Sequence, residues 1–447
     1  MKILRMSIAF AVMVFFSLFL FSNIIQIGKA SGYQHLLLFF VFSLLLLLFS
    51  SRFSVLRYIP KQFLILLIFW AYIFFKLVFD IGDINQLIAN SIGTTAGIIL
   101  SFLIGALLSF SISDLYFNIN RNSKLYYLLS IFIIIYFCLI LILSVKSLQT
   151  HIQIVRNDLF LIKIQEGYYQ RPGNFLFMQF MIICSLVALL SCFQVYVQKW
   201  IIFVSLILLL LNALSSMVLA QLIGSNSGFY SIAGFTFMLF SYLYVSSKPG
   251  LEYGMQGIGF KTIFFGWIGK RLLISLFIIS ILFFIIISLI IDKFQSVGNL
   301  FRFTGFGSNT IISITSRYEI FFSNFVEHFN YNPIFGNSQV DVLTTGEGTY
   351  LHSIFSILTH HGLIGFFLFS YFIFQMYKEI SKTCVGRDTL YNDNRYSIFR
   401  ILSLGLVLIY ALLIAFYTWM PLWFAIGLLG FRFPGNTKHR LYRQNYS

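Results

Sequence analysis

The sequence predicts an all-α polytopic membrane protein, and its composition, its apolar runs and the placement of its charges all indicate this fold class. Of the 447 residues, 59% are hydrophobic and only 10% are charged, and the mean hydropathy is +0.89. Many apolar runs reach about 18 residues or more, which is long enough to cross ~30 Å of hydrocarbon. This composition excludes a water-soluble globular protein.

The net charge of +16 is a topology signal in this chain. A nucleic-acid partner would require Lys and Arg to cluster on one polar face. Here they stand in short loops between apolar runs. When alternate loops are assigned to the cytoplasm, most of the 30 Lys and Arg residues fall on that side, as the positive-inside rule expects. The charge therefore predicts cytoplasmic termini and no nucleic-acid partner.

The apolar runs predict about twelve transmembrane helices. The run that ends near Ile27 is too long for the core of a signal peptide and lacks a small-residue cleavage site, so we expect an uncleaved first span. The last predicted span, 419–431, is short enough to be tilted or re-entrant. The other spans are predicted at 35–50, 63–82, 87–112, 126–145, 175–197, 200–222, 227–246, 272–291, 351–376 and 397–417.

Two outer loops are enlarged, at 146–174 and 292–350. A loop longer than about 15 residues in a compact bundle is usually functional or disordered. Both loops are rich in Phe, Tyr and Ile and lack low-complexity runs, which disfavours disorder. We therefore expect them to fold back over the bundle as short amphipathic helices that carry the function.

The first long loop carries Arg156 and Arg171, although cations on an outer face oppose the positive-inside rule. A guanidinium group binds anions through two parallel hydrogen bonds, so a lipid-linked phosphate is the predicted ligand. A Pro-Gly-Asn turn is expected to fix the position of Arg171. Headgroup contact, or pairing with Asp158 and Glu166, remains an alternative for each arginine.

The second long loop adds Arg302 and Arg317, and His352 follows at the start of the predicted span 351–376. A histidine near neutral pKa at the bilayer edge is suited to act as a general base. His360 and His361 are expected to satisfy partners inside the bundle. Because spacing such as His-Glu-x-x-His is absent, neither a metal nor another cofactor is predicted.

The same stretch combines a late-loop arginine, a Pro-x-x-Gly turn, a His-Ser pair and a Gly-Leu-Ile-Gly sequence that enters a span. With its two enlarged loops, this arrangement resembles the signature region of the O-antigen polymerase and O-antigen ligase superfamily. Arg156 to Gly167 also fits the Arg-x10-Gly spacing of some polymerases, whereas Arg317 has His328 at that spacing. The residues that carry the resemblance are Arg317, Pro333, Gly336, His352, Ser353, Gly362 and Gly365.

The resemblance implies a C-type glycosyltransferase-like architecture at the periplasmic face of the bacterial inner membrane. Its substrate would be an undecaprenyl-pyrophosphate-linked oligosaccharide. Arginines would neutralise the departing pyrophosphate while a base deprotonates the attacking sugar hydroxyl. The expected catalytic residues are His352 and Arg317, and the expected substrate-binding residues are Arg156, Arg171, Arg302, Gly336 and Ser353.

The expected activity is polymerisation, in which the growing glycan is transferred to a new lipid-linked repeat unit. The alternative is a ligase that transfers the polymer to lipid A-core. A lipid-linked oligosaccharide flippase ranks below both, because a transporter predicts repeated halves and ionisable residues deep within its spans. Membrane lipid and a chain-length regulator protein are the expected partners.

Overall fold

The computed structural model describes part of the chain, and every regular element in that part is a helix. The predicted spans 35–50 and 272–291 lie outside it, as do Arg302, Arg317 and His352. The described residues are 7, 10–18, 21, 61–80, 93–119, 123–156, 170–192, 199–222, 226–246, 319, 322–344, 353–385, 391–414 and 418–430.

Ten α-helices are labelled here in chain order, and the last continues directly into a π-helix, Ile426–Gly430. The labelled helices are α1 (Lys61–Asp80), α2 (Gly93–Ile119), α3 (Ser123–Arg156), α4 (Gln170–Cys192), α5 (Lys199–Leu222), α6 (Asn226–Ser246), α7 (Val340–Thr344), α8 (Ser356–Val385), α9 (Tyr391–Ile414) and α10 (Met420–Ala425). Residues 10–18 and 322–331 are also helical.

Five stretches of the described helices are long and apolar enough to cross a membrane. This agrees with the predicted α-helical membrane protein, while the number of twelve spans remains a prediction. The five are Gln62–Asp80, Tyr126–Gln149, Gly173–Cys192, Trp200–Ala220 and Ser356–Ser381. Shorter apolar helices cover Gly97–Ser109, Gly228–Leu243, Tyr396–Leu412 and Met420–Gly430.

Helix α4 lies at the centre of the bundle. Its apolar stretch Gly173–Cys192 is buried along its whole length, and it packs against α5, α6, α9 and α10. The short last helix is also buried, since α10 and the π-helix pack against α2, α4 and α9.

The prediction of a turn after Arg171 is wrong, because residues 172–174 belong to a helix. Pro172 lies in the first turn of α4, which begins at Gln170. Proline is tolerated there because its missing N–H would have no helical acceptor in the first turn. The other end of this loop also differs from the predicted span boundary at 145, since α3 continues as a helix to Arg156.

A buried polar network joins three helical segments inside the bundle. The Tyr136 hydroxyl on α3 accepts a hydrogen bond from Gln179 Nε2 on α4 at 2.7 Å. The same hydroxyl lies 2.8 Å from Ser17 Oγ of the helical segment 10–18. Hydrogen bonds between helices stabilise membrane proteins because an unpaired polar group inside the bundle has no water to bind.

Tyr136→Phe is therefore expected to lower the stability of the protein by about 1–2 kcal/mol, because it removes the shared partner of Ser17 and Gln179. The thermal unfolding midpoint of the protein in detergent measures the loss. Tyr127→Phe on the same helix is the matched control, since the Tyr127 side chain is 53% exposed. Equal midpoints for the two variants would contradict the role assigned to the network.

An aromatic cluster fixes α1 against α8 and α10. The Phe69 ring on α1 lies 5.7 Å from the Phe369 ring on α8 and 6.0 Å from the Trp423 ring on α10, measured between centroids. The Phe369 and Trp423 rings are 5.8 Å apart. Aromatic pairs at these separations add packing energy to the area that they bury. The cluster therefore holds α1 beside α8, the two helices that build the candidate site.

Candidate functional site

The candidate site is centred on a break in α8 at Gly362. The backbone there has φ 63° and ψ −169°, a conformation that residues other than glycine essentially do not adopt. A break leaves nearby backbone N–H and C=O groups without their helical partners. In a membrane-embedded helix such groups must be satisfied by other parts of the protein.

The turn Asn332–Gly336 supplies the missing backbone partners. In a continuous helix the Leu363 N–H would donate to the Thr359 carbonyl. Here Leu363 N donates to the Pro333 carbonyl at 2.9 Å, and the Thr359 carbonyl accepts from Asn337 N at 3.0 Å. The turn is thus inserted into the hydrogen-bond series of the broken helix.

The turn is itself ordered by Asn332. The Asn332 carbonyl accepts from Gly336 N at 2.7 Å, and its side-chain Oδ1 accepts from Phe335 N at 3.3 Å. A further bond runs from Ile364 N to the Ile334 carbonyl at 3.3 Å. Asn-Pro favours this geometry, because the Asn side chain bonds its own backbone and Pro fixes φ at the next position.

Gly336 and Gly362 lie against each other with no room for a side chain. Gly336 has φ 70°, and a Cβ on it would overlap the backbone nitrogens of His361 and Gly362. A Cβ on Gly362 would overlap Gly336 N and the Ile334 carbonyl. The structure therefore brings together two of the glycines on which the family resemblance rests.

Tyr72 of α1 bonds to both parts of this unit. Its hydroxyl lies 2.8 Å from the His361 carbonyl of α8 and 3.1 Å from the Phe335 carbonyl of the turn. A phenol has one proton to donate, so the shorter bond to His361 takes most of it and the longer contact shares it. The His361 carbonyl is one of the groups that the break frees from the helix.

Asp80, at the end of α1, contacts the chain just after the turn. Its Oδ2 accepts from Ser338 N at 2.7 Å, while its Oδ1 forms an ion pair with Lys76. The two side chains are only 10% and 8% exposed, for Lys76 and Asp80 respectively. Tyr72, Lys76 and Asp80 are spaced four residues apart, so they share one face of α1.

His360 and His361, just before the break, are 6% and 0% exposed. Both side chains are therefore inside the bundle, and the expectation that they satisfy polar partners there stays a prediction. Their ring centroids are 6.4 Å apart. His328, on the helical segment 322–331, is also buried.

Ser353 is buried and makes a structural contact. Its hydroxyl donates to the Leu412 carbonyl at 2.8 Å, and Ile354 N donates to the Ala411 carbonyl at 2.9 Å. These bonds fix the start of this segment to the end of α9. The helix begins at Ser356 and not at the predicted 351, and substrate contact by Ser353 remains a prediction.

For two of the predicted arginines, the structure describes the backbone but not the side chain. Arg156 is the last residue of α3 and Arg171 stands in the first turn of α4, and their side chains lie outside the described part of the structure. Arg302, Arg317 and His352 lie outside it altogether. The phosphate-binding and base roles of these five residues therefore remain predictions.

The sequence reasoning missed the contribution of α1. The sequence analysis predicts no site role for Tyr72, Lys76 or Asp80. The available signal was the pair Lys76 and Asp80, two opposite charges one helical turn apart in an otherwise apolar helix of 20 residues. Ionisable residues in a span are costly, so such a pair indicates a site. Tyr72 gives no comparable signal, because aromatic residues make up 19% of the chain.

Among the described residues, no group of three or more His, Cys, Asp or Glu side chains could hold a metal ion. This unit offers backbone groups, hydroxyls and the Lys76–Asp80 ion pair. Comparison of the chain with protein-family models, with curated proteins and with solved structures finds no match.

Proposed function

We propose that the protein is an O-antigen (surface polysaccharide) polymerase of the bacterial inner membrane. It would transfer the growing glycan from undecaprenyl pyrophosphate to a new lipid-linked repeat unit at the periplasmic face. One observation carries the proposal: the turn with Pro333 and Gly336 is inserted into the break at Gly362, so residues that are distant in the sequence form one unit.

The position of this unit suits a lipid-linked donor. It lies where α1 ends at Asp80 and α8 begins at Ser356, and the ends of spans are where a bilayer presents the phosphates of its lipids. A substrate with a polyprenyl tail and a polar glycan requires both an apolar and a polar contact. Helix α1 offers the exposed rings of Phe75 and Phe79 as the apolar contact, and the polar contact is assigned to the arginines below.

The chemistry needs a base near the acceptor sugar and cations near the leaving pyrophosphate. We assign the base to His352, which precedes the fixed residue Ser353 in the chain. Arg317 and Arg302 would neutralise the pyrophosphate, with Arg156 and Arg171 contributing from the ends of α3 and α4. Membrane lipid and a chain-length regulator are the proposed partners.

The proposal is tested by lipopolysaccharide banding in a bacterial strain that lacks its own copy of the gene. The strain is complemented with the wild-type protein, His352→Ala, Arg317→Ala or the control Lys378→Ala, whose side chain is exposed on α8. Membrane levels of each variant are checked with an antibody. We expect core plus a single repeat unit in the deletion strain and with the first two variants, and full banding with the control.

The other outcomes separate the alternatives. Core without any repeat, with long polymer still on the lipid carrier, would identify a ligase that uses the same chemistry on a different acceptor. Repeat units retained in the cytoplasmic leaflet would identify a flippase. Full banding with both His352→Ala and Arg317→Ala at normal levels would remove these residues from the mechanism.

A further inference from the structure

We infer that Tyr72 and Asp80 of α1 are positioning residues of the proposed transferase site, because they hold the Asn332–Gly336 turn and the chain that follows it against the broken helix α8. This inference rests on the proposed function. Neither residue belongs to the signature that suggested that function.

The two residues hold the unit at separate points. Tyr72 bonds to the turn through the Phe335 carbonyl and to the broken helix through the His361 carbonyl, so one hydroxyl bridges the two parts. Asp80, two helical turns further along α1, bonds to Ser338 N just after the turn. Two contacts separated along a helix restrain rotation as well as translation of the turn relative to α1.

The Lys76–Asp80 ion pair gives Asp80 a fixed orientation. One carboxylate oxygen is engaged by the Lys76 ammonium, which leaves the other directed at Ser338 N. Both side chains are almost fully enclosed, so the pair is poorly screened by solvent and keeps its geometry. Lys76 therefore acts through Asp80, and we assign it no contact with substrate.

Helix α1 is a rigid reference for this purpose. The Phe69 ring packs against Phe369 of α8 and Trp423 of α10, so α1 is fixed to the bundle near Tyr72. A displacement of about 1 Å from a distant substitution can cost a catalysed reaction roughly 100-fold in rate. Loss of either contact should therefore lower the turnover rate more than it lowers substrate binding.

Tyr72→Phe tests the first contact by removing a single hydroxyl. The purified protein in nanodiscs is given the lipid-linked repeat unit extracted from a polymerase-deficient strain. We expect the maximal rate to fall about tenfold while the half-saturating substrate concentration changes less than about twofold. Tyr371→Phe on α8 is the matched control, since Tyr371 is 52% exposed, and it should match the wild type in both quantities.

Two double variants test the second contact without leaving a buried charge unpaired. Both carry Lys76→Gln, combined with either Asp80→Asn or Asp80→Ala. The first retains an oxygen that can accept from Ser338 N, and the second does not. We expect Lys76→Gln/Asp80→Asn to keep most of the maximal rate and Lys76→Gln/Asp80→Ala to lose about tenfold, with similar thermal unfolding midpoints.

Amide hydrogen exchange provides a readout that does not depend on activity. The amides of Asn337, Ser338 and Leu363 should exchange faster in Tyr72→Phe and in Lys76→Gln/Asp80→Ala than in the control. If the wild type shows no transferase activity, the proposed function fails, and exchange alone then decides whether α1 holds the turn.

Three results would overturn the inference. An unchanged maximal rate and unchanged amide hydrogen exchange in Tyr72→Phe would show that the Tyr72 hydroxyl does not position the turn. A raised half-saturating concentration with an unchanged maximal rate would make Tyr72 a substrate contact. Equal inactivity of both double variants with slow exchange would mean that the Lys76 charge acts on the substrate directly.

Discussion

Gly362→Ala is expected to detach the Asn332–Gly336 turn from α8 and to abolish polymer formation. The backbone at Gly362 has φ 63°, a conformation that costs other residues about 1–3 kcal/mol. The added Cβ would also overlap Gly336 N and the Ile334 carbonyl. These are backbone atoms, which cannot move aside as the end of a flexible side chain can, so the turn must leave the break.

The release of the turn should be local. The core of the bundle is built around α4, which packs against α5, α6, α9 and α10, and none of these contacts requires the turn. We therefore expect Gly362→Ala to reach the membrane at nearly normal levels and to produce only core plus one repeat unit in the banding assay. Faster exchange at the amides of Asn337 and Leu363 would show that the turn has separated.

The matched control is Gly405→Ala on α9. A Cβ at Gly405 would meet only the Tyr377 hydroxyl, at 3.4 Å, which is an ordinary contact. In a helix interior, alanine is favoured over glycine by about 0.5–1 kcal/mol, so this control should be neutral or slightly stabilising. Full-length polymer from Gly362→Ala at normal membrane levels would contradict the structural role of the break.

The helices were largely predictable from the sequence, because a span is a local property. A run of apolar residues long enough to cross the bilayer can be recognised without knowledge of the rest of the fold. Accordingly, α1, α5 and α6 lie within a few residues of their predicted spans. The boundaries of α4 were less accurate. Proline and glycine usually mark a turn, but here Pro172 and Gly173 lie in the first turn of a helix, where proline does no harm.

Some residues of the candidate site could be predicted from the sequence, but their arrangement in space could not. The Pro-x-x-Gly and Gly-Leu-Ile-Gly sequences were identified as motifs, yet nothing in either one states that Gly336 packs on Gly362. That contact depends on how a distant turn meets a helix, which is a tertiary property. The role of Tyr72 could not be predicted for the same reason. Its hydroxyl bonds to two backbone carbonyls, which are present in any sequence.

Gly427→Ala is expected to have the second-largest effect, and it acts on the bundle itself. A Cβ at Gly427 in the π-helix would overlap the Phe102 carbonyl and Ala106 N of α2, and Gly105 makes the reciprocal contact with the Phe424 carbonyl. Small residues allow membrane helices to pack backbone to backbone, and this crossing has no space for a methyl group.

The direction of the stability change in Gly427→Ala distinguishes an effect of packing from an effect of helix propensity. Propensity alone would stabilise the variant, as we expect for Gly405→Ala, whereas forcing α2 away from the π-helix should cost about 1–3 kcal/mol. The thermal unfolding midpoint in detergent should therefore fall for Gly427→Ala and stay level or rise for Gly405→Ala. Because α2, α4 and α9 all pack against α10 and its π-helical continuation, the loss should also lower the amount of protein in the membrane. A midpoint for Gly427→Ala at or above that of the wild type would mean that the two helices do not pack this closely.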